Sequence, residues 1–412
     1  MSRPLRAIVL LAAVVLIAAL PSATRGQLPC LIGCDSPSSH AAPAGGYSGV
    51  RPGSAWTSPL PPFRGVSGCR GPRRPVAGAP APGARPAAGL AVSLNFLSGK
   101  GLCDQLARAR RSGARLIRDD LVWADVEPAP GKLRWARYDA IVDRAARYGL
   151  TVLPIVDRSP AWAAEAPSAL PRDPGTYGAF LSNVVARYGP GGSFWRSRPR
   201  LARFAPRFFE VWNEPYFGPF ANLRPDPAEY ARLVKAAVGA ARRANPRARF
   251  LVEAETSIWD PDARRDVDWV GDMYRAVPDL GDYADAVAVH PYSSLPPGYR
   301  RDEPPVRQQT RRLEELHATL AAHGDGDVPL WITEIGWPTC SKGRTCVSEA
   351  TQAQDLASAF DLARRRWRYV RALFVYRLDD LRGTGRESAF GLLRLDGSPK
   401  PAWDAFRRAA AG

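Results

Sequence analysis

The chain has 412 residues, enough for one large domain or two ordinary ones, and with 45% hydrophobic residues and 12 tryptophans it can bury a substantial core. The formal charge of +17 comes mostly from arginines spread along the chain, without the compact basic cluster or recognition module of a nucleic-acid reader. Four histidines and six cysteines with no Cys-x-x-Cys pair exclude zinc-type ligand spacing, so no metal and no organic cofactor are expected.

Residues 1–23 place Arg3 and Arg6 before the apolar run Ile8–Leu20, followed by Pro-Ser-Ala. That is the layout of a secretory signal peptide, with a run short for a bilayer span; an uncleaved anchor is the alternative. A secreted, extracellular or cell-envelope location is expected, with no integral membrane segment beyond the signal peptide. Export favours disulfides. Cys340 and Cys346 share one polar loop and are expected to pair, while the pairing of Cys30, Cys34, Cys69 and Cys103 stays open. Residues 24–88 are crowded with Pro, Gly, Ala and Ser and have no sustained periodicity, which predicts a largely disordered linker. The cysteines within it mark places where it is stapled.

From residue 89 to 412 strands and helices alternate. Strands are expected at Leu90–Phe96, Arg115–Arg118, Thr151–Val156, Phe208 onward, Phe250–Glu255, Ala286–His290, Val328 onward and Ala372–Tyr376. Helices are expected at Cys103–Ser112, Tyr138–Tyr148, Pro174–Tyr188, Pro225–Asn245, Val267–Val277, Val306–His323, Thr351–Trp367 and Pro401–Ala410. Eight βα units over this length predict a (β/α)8 TIM barrel. The rival, a doubly wound open sheet, loses ground because no glycine-rich phosphate fingerprint follows any strand.

Two stretches share one build. Phe208-Phe209-Glu210-Val211-Trp212-Asn213-Glu214-Pro215 is an apolar run ending in a carboxamide, a carboxylate and a proline that cannot continue a ladder. Leu330-Trp331-Ile332-Thr333-Glu334-Ile335-Gly336-Trp337-Pro338 likewise delivers Glu334 to a strand end. Barrel closure brings strand ends around one mouth, where two carboxyls in different environments divide acid and nucleophile roles. Trp123, Trp162, Trp259 and Trp337 all follow strands and are candidates to stack on the face of a ring-shaped ligand.

Trp212-Asn213-Glu214-Pro215 resembles the acid/base motif of the retaining (β/α)8 glycoside hydrolases whose catalytic glutamates lie on strands four and seven, and Thr333-Glu334-Ile335-Gly336-Trp337-Pro338 resembles their nucleophile strand. Arg118 through Pro128, His290-Pro291-Tyr292, and Phe390-Gly391-Leu392-Leu393 with the following Asp396–Trp403 are similar to other parts of that clan. The nearest pattern is that of family 39-like enzymes and bacterial exopolysaccharide glycosidases. The resemblance implies Glu214 as acid/base and Glu334 as nucleophile, Asn213 on the sugar 2-hydroxyl, and Arg118 and Tyr292 holding Glu334 ionised. It also implies His290 lining the sugar subsite, with Tyr376 where the clan often has a tryptophan. An oligo- or polysaccharide is the expected partner. The alternatives are a transglycosylase, or a catalytically silent carbohydrate-binding barrel of the cell envelope.

Overall fold

The computed structural model describes residues 60–69, 86–217, 225–260, 265–292, 305–341, 346–383 and 385–411, all in the unit 42–412. The expected signal peptide, Cys30 and Cys34 lie outside the described residues. The apolar, β-prone runs form β1 (Ala87–Ala91), β2 (Leu116–Val122), β3 (Thr151–Asp157), β4 (Phe208–Val211) and β5 (Arg249–Glu253). A short hairpin, β6 (Ser257–Asp260) and β7 (Arg265–Asp268), precedes β8 (Ala286–Val289), β9 (Leu330–Ile335) and β10 (Val370–Val375). Eight of these strands, all but the hairpin, close into a parallel barrel in the order β1-β10-β9-β8-β5-β4-β3-β2. The fold is therefore the expected (β/α)8 barrel, with β8, β9 and β10 as its sixth, seventh and eighth staves.

The outer layer comprises α1 (Gly99–Arg111), the short α2 (Trp123–Val126), α3 (Ala136–Arg147), α4 (Pro174–Tyr188) and α5 (Pro227–Ala244). It continues with α6 (Trp269–Ala276), α7 (Pro305–Ala322), α8 (Glu349–Arg365) and α9 (Pro401–Ala411). Helix starts follow capping chemistry. Asp173 Oδ1 accepts from Gly175 N at 2.8 Å, Asp226 Oδ1 from Ala228 N at 2.8 Å, and each precedes a proline at the first helical position.

Several boundaries differ from expectation for local reasons. The first strand stops at Ala91 because Leu94 N turns to Asp119 Oδ1 at 2.8 Å and Leu94–Phe96 forms a 3-10 turn. Val267 belongs to the hairpin, not to the following helix, which starts at Trp269 where Asp268 Oδ1 caps Gly271 N at 3.0 Å. The fourth strand ends at Val211, so Asn213 and Glu214 stand on the turn beyond it.

Alternation along the staves sets the barrel interior. Leu153, Leu251, Ala286, Ala288, Ala372 and Phe374 form an apolar layer, with Phe208 and Trp331 packed against it, their own ring centroids 4.4 Å apart. Gly89 is required there, since a Cβ at that position would fall 2.3 Å from Phe374 Cδ1. Two residues further along the staves the same inward register carries Arg118, Glu210, Glu253 and His290, so a charged layer caps the apolar one.

Part of the stretch read as linker is docked on the barrel. Cys69 is bonded to Cys103 of α1, Gly99 N donates to Gly65 O at 2.9 Å, and Arg137 Nη2 donates to Pro61 O at 2.6 Å. Cys340 and Cys346 are joined, as the loop spacing predicts.

Candidate active site

Beyond β4 the backbone leaves the ordinary region twice. Trp212 has φ +70° and Glu214 φ +42°, conformations costing about 1–3 kcal/mol each for residues with a Cβ. Neighbouring groups hold the turn in place. Trp212 N donates to Val156 O at 3.1 Å, and the Tyr230 hydroxyl donates to Val211 O at 2.7 Å. The turn places Asn213 over the charged layer and leaves Glu214 partly open, with 15% of its side chain exposed.

Arg118 organises the floor. Its Nε and Nη2 grip Glu210 at 2.6 and 3.1 Å, Nη2 also reaches Asn213 Oδ1 at 2.8 Å, and Nη1 donates to Glu334 Oε1 at 2.5 Å. Burial works against its charge, but Glu210 and Glu334 outweigh this and hold the guanidinium well above its ordinary range. The other oxygen of Glu334 accepts from the Tyr292 hydroxyl at 2.7 Å. Burial alone would raise the Glu334 carboxyl; His290, Arg118 and the Tyr292 hydroxyl together hold it below the usual carboxylate range. Glu334 is thus an ionised carboxylate with both oxygens oriented.

His290 sits beneath the two glutamates. Its Nδ1 lies 2.8 Å from Glu214 Oε1 and its Nε2 3.0 Å from Thr333 Oγ1, with Glu253 Oε1 3.8 Å away. Burial lowers its basicity, yet Glu253, Glu334 and Glu214 raise it to about 9. The imidazolium then donates from both nitrogens, and both acceptors are in place. At 3% exposure His290 is buried beneath Glu214 and holds its Oε1.

The geometry gathers Arg118, Asn213, Glu214, His290, Tyr292 and Glu334 at the carboxyl end of the barrel. Tyr376 joins them at the end of β10, half-buried, with its ring 6.3 Å from that of Tyr292 and 5.3 Å from that of Phe390; burial pushes its phenol up to about 12. Two tryptophans do not join them. Trp123 is wholly buried among Trp162, Tyr177 and Phe180, with its indole N–H on Glu127 Oε2 at 2.8 Å. Trp337 is 2% exposed and packs in the main core. Both are expected from the sequence to stack on sugar; buried in the core, neither presents a ring face to the mouth. Trp162 is partly buried and donates to Glu127 O at 2.9 Å, and the Trp259 side chain lies outside the described residues.

No protein-family profile matches the sequence, and no curated protein matches it. Solved structures do. A family 39 glycoside hydrolase from the gut symbiont Bacteroides cellulosilyticus WH2 superposes with a TM-score of 0.58 at 22% identity, over 80% of this chain and 64% of that one. A monomeric beta-xylosidase from Caulobacter crescentus CB15 gives 0.57 at 19% identity, over 81% and 69%. A GH5_18 structure from Streptomyces cattleya in complex with GlcNAc gives 0.56 at 17% identity, over 80% of each chain. The fold is that of these glycoside hydrolases. The chain spans under two thirds of the length of the Bacteroides protein.

Within this fold, Glu210 and Glu253 are site residues that sequence reasoning missed. Each lies two positions along the strand from an inward apolar residue, Phe208 and Leu251, so continuing the alternation would have exposed both. Two trios, Glu210–Glu253–His290 and Glu214–His290–Glu334, bring one donor atom each within 4.8 Å of one another. Arg118 and Tyr292 already engage the oxygens of Glu210 and Glu334, and both nitrogens of His290 lie on Glu214 and Thr333, so these groups form an internal ion-pair network. Phe217, three residues past Glu214, is a second missed feature: it is 48% exposed on the turn that carries the carboxylate.

Proposed function

We propose that the protein is a secreted retaining β-glycosidase that hydrolyses O-glycosidic bonds of an oligo- or polysaccharide by double displacement, with Glu334 as nucleophile and Glu214 as acid/base. The observation that carries this reading is the carboxylate pair itself. An oxygen of Glu214 lies within 4.8 Å of one of Glu334. Retaining enzymes hold their carboxyls about 5–5.5 Å apart, and inverting ones about 6.5–9.5 Å apart to admit a water.

The flanking groups support distinct roles. Glu334, kept anionic by Arg118 and Tyr292, attacks the anomeric carbon while the protonated Glu214 gives its proton to the departing oxygen. His290 occupies Glu214 Oε1 and leaves Oε2 for that transfer. In the second step Glu214, now a carboxylate, takes a proton from water, whose oxygen attacks the anomeric carbon and displaces Glu334. Asn213, whose Oδ1 accepts from Arg118, is the residue we assign to the sugar 2-hydroxyl. Secretion rests on the signal-peptide layout of residues 1–23 and is supported by two disulfides, which persist in oxidising compartments.

The test is hydrolysis of a panel of aryl β-glycosides and polysaccharides by wild type, Glu214→Ala and Glu334→Ala. Turnover is expected to vanish in both variants, with azide rescuing Glu334→Ala to a glycosyl azide of inverted configuration. An active wild type with either variant unimpaired would sink the assignment.

A further inference from the structure

The face opposite the catalytic mouth carries a concentration of positive charge that two connections of the barrel bring together. The connection from α4 to β4, residues 189–207, and the one entering β5, residues 245–249, together hold seven arginines and no aspartate or glutamate. They are neighbours in space: Phe208 pairs with Arg249 across the sheet, Arg249 N donates to Arg207 O at 2.8 Å, and Asn245 Nδ2 donates to Val185 O at 3.0 Å.

The α4–β4 connection is also unusually long and well built. Links between a helix and the next strand commonly run about 2–6 residues, and longer ordered ones are usually functional. Here Phe194, Trp195, Leu201 and Phe204 are buried beneath it, and Trp195 Nε1 donates to Tyr188 O at 2.7 Å. Arg198 is partly structural, since its guanidinium lies over the Phe194 ring and reaches Asp143 at 3.2 Å. Arg196, Arg200, Arg207 and Arg247 are exposed, and none has a carboxylate within 4 Å among the described residues. A rigid loop thus presents uncompensated guanidinium groups to solvent at an end of the barrel that plays no part in the chemistry.

We propose that this face is a non-catalytic binding surface for a linear anionic polysaccharide, one bearing carboxylate or sulfate groups along its length. Guanidinium forks match such groups in pairs, and several arginines spread over two connections suit repeated charges better than one compact anion. The two exposed large apolar side chains among the described residues, Phe217 and Leu395, both lie outside these two connections. The surface therefore lacks the apolar wedge of a membrane-inserting face and the aromatic platforms on which bases stack. The choice of a glycan as occupant rests on the proposed glycosidase reading; the arginine surface itself does not. Tethering at this end would leave the mouth free to work along neighbouring chains.

The experiment is co-sedimentation of the full chain with immobilised polygalacturonate, and with a neutral galactomannan as control, at about 0.05 M and about 0.5 M salt. Added salt shortens the screening length roughly threefold over that range, so binding to polygalacturonate should fall at least about tenfold, with little binding to the neutral polymer. The variant Arg196→Gln/Arg200→Gln/Arg207→Gln/Arg247→Gln should lose the low-salt binding while its melting temperature and its rate on a small aryl glycoside stay at wild-type values. Two half-variants, Arg196→Gln/Arg200→Gln and Arg207→Gln/Arg247→Gln, guard against misfolding of the quadruple and should each weaken binding. Undiminished binding by the variants, absence of low-salt binding by wild type, or equal competition by duplex DNA or anionic vesicles would overturn the proposal. Since turnover of the small substrate is read separately, failure here is distinguishable from failure of the glycosidase reading.

Discussion

His290 Nδ1 lies 2.8 Å from Glu214 Oε1, and the same ring is held in a nest of carboxylates that raises it to about 9. A histidine with a folded value above its unfolded one of roughly 6.5 stabilises the native state below that unfolded value, and the contribution disappears as pH rises through about 9. The shift corresponds to something on the order of 3 kcal/mol. The wild-type protein should therefore lose stability between about pH 6.5 and about pH 9. His290→Gln should start less stable and be flat across that window. Urea midpoints measured at pH 6, 7.5 and 9 check this; parallel losses in the two proteins would refute it.

The Tyr292 hydroxyl tests a different arm of the network. It donates to Glu334 at 2.7 Å and is one of the groups keeping that carboxyl low. Hydrogen bonds to charged groups contribute about 1.5–3 kcal/mol. Tyr292→Phe should accordingly lower kcat/KM by about ten- to a hundredfold. Its acidic limb should move to higher pH, because the nucleophile then protonates more readily. A fall in rate without that displacement would mean that Tyr292 acts on the substrate and not through Glu334.

Arg118 ties Glu210, Asn213 and Glu334 together from the barrel interior at 2% exposure. Removing one partner of a buried ion pair leaves the others uncompensated, at about 3–5 kcal/mol. Arg118→Met should therefore lower the melting temperature as well as abolish turnover, whereas Glu334→Gln should abolish turnover and keep the fold. A normally stable Arg118→Met protein would show that the buried carboxyls around it do not depend on the guanidinium.

What was legible in the sequence follows from where the physical signal is local. The strand that ends at Val211, the proline behind Glu214 and the matching run before Ile335 are readable because apolar runs and breakers announce themselves within a few residues. Eight βα units then place both glutamates at one mouth. The docking of residues 60–69 was not readable, because a proline-rich stretch shows no periodicity and the partner of Cys69 lies in a helix. The β6–β7 hairpin was missed because Val267 and Asp268 fit the start of a helical pattern as well as the end of a strand. Tryptophans after strands were read as sugar platforms from position alone, although position does not say which face a ring turns.

Trp123 makes that last distinction measurable. Its ring is enclosed by Trp162, Tyr177 and Phe180, and its N–H holds Glu127 Oε2, whose partner oxygen accepts from Gly131 N at 2.7 Å. Trp123→Phe keeps an aromatic in the slot but leaves a buried carboxylate oxygen short of a donor, at about 1–3 kcal/mol. The variant should melt several degrees lower with KM for an aryl glycoside within about twofold of wild type, since the site network does not pass through Trp123. A tryptophan that stacked on substrate would behave in the opposite way, raising KM with little change in melting. Thermal melts and steady-state kinetics on the same preparation separate the two outcomes.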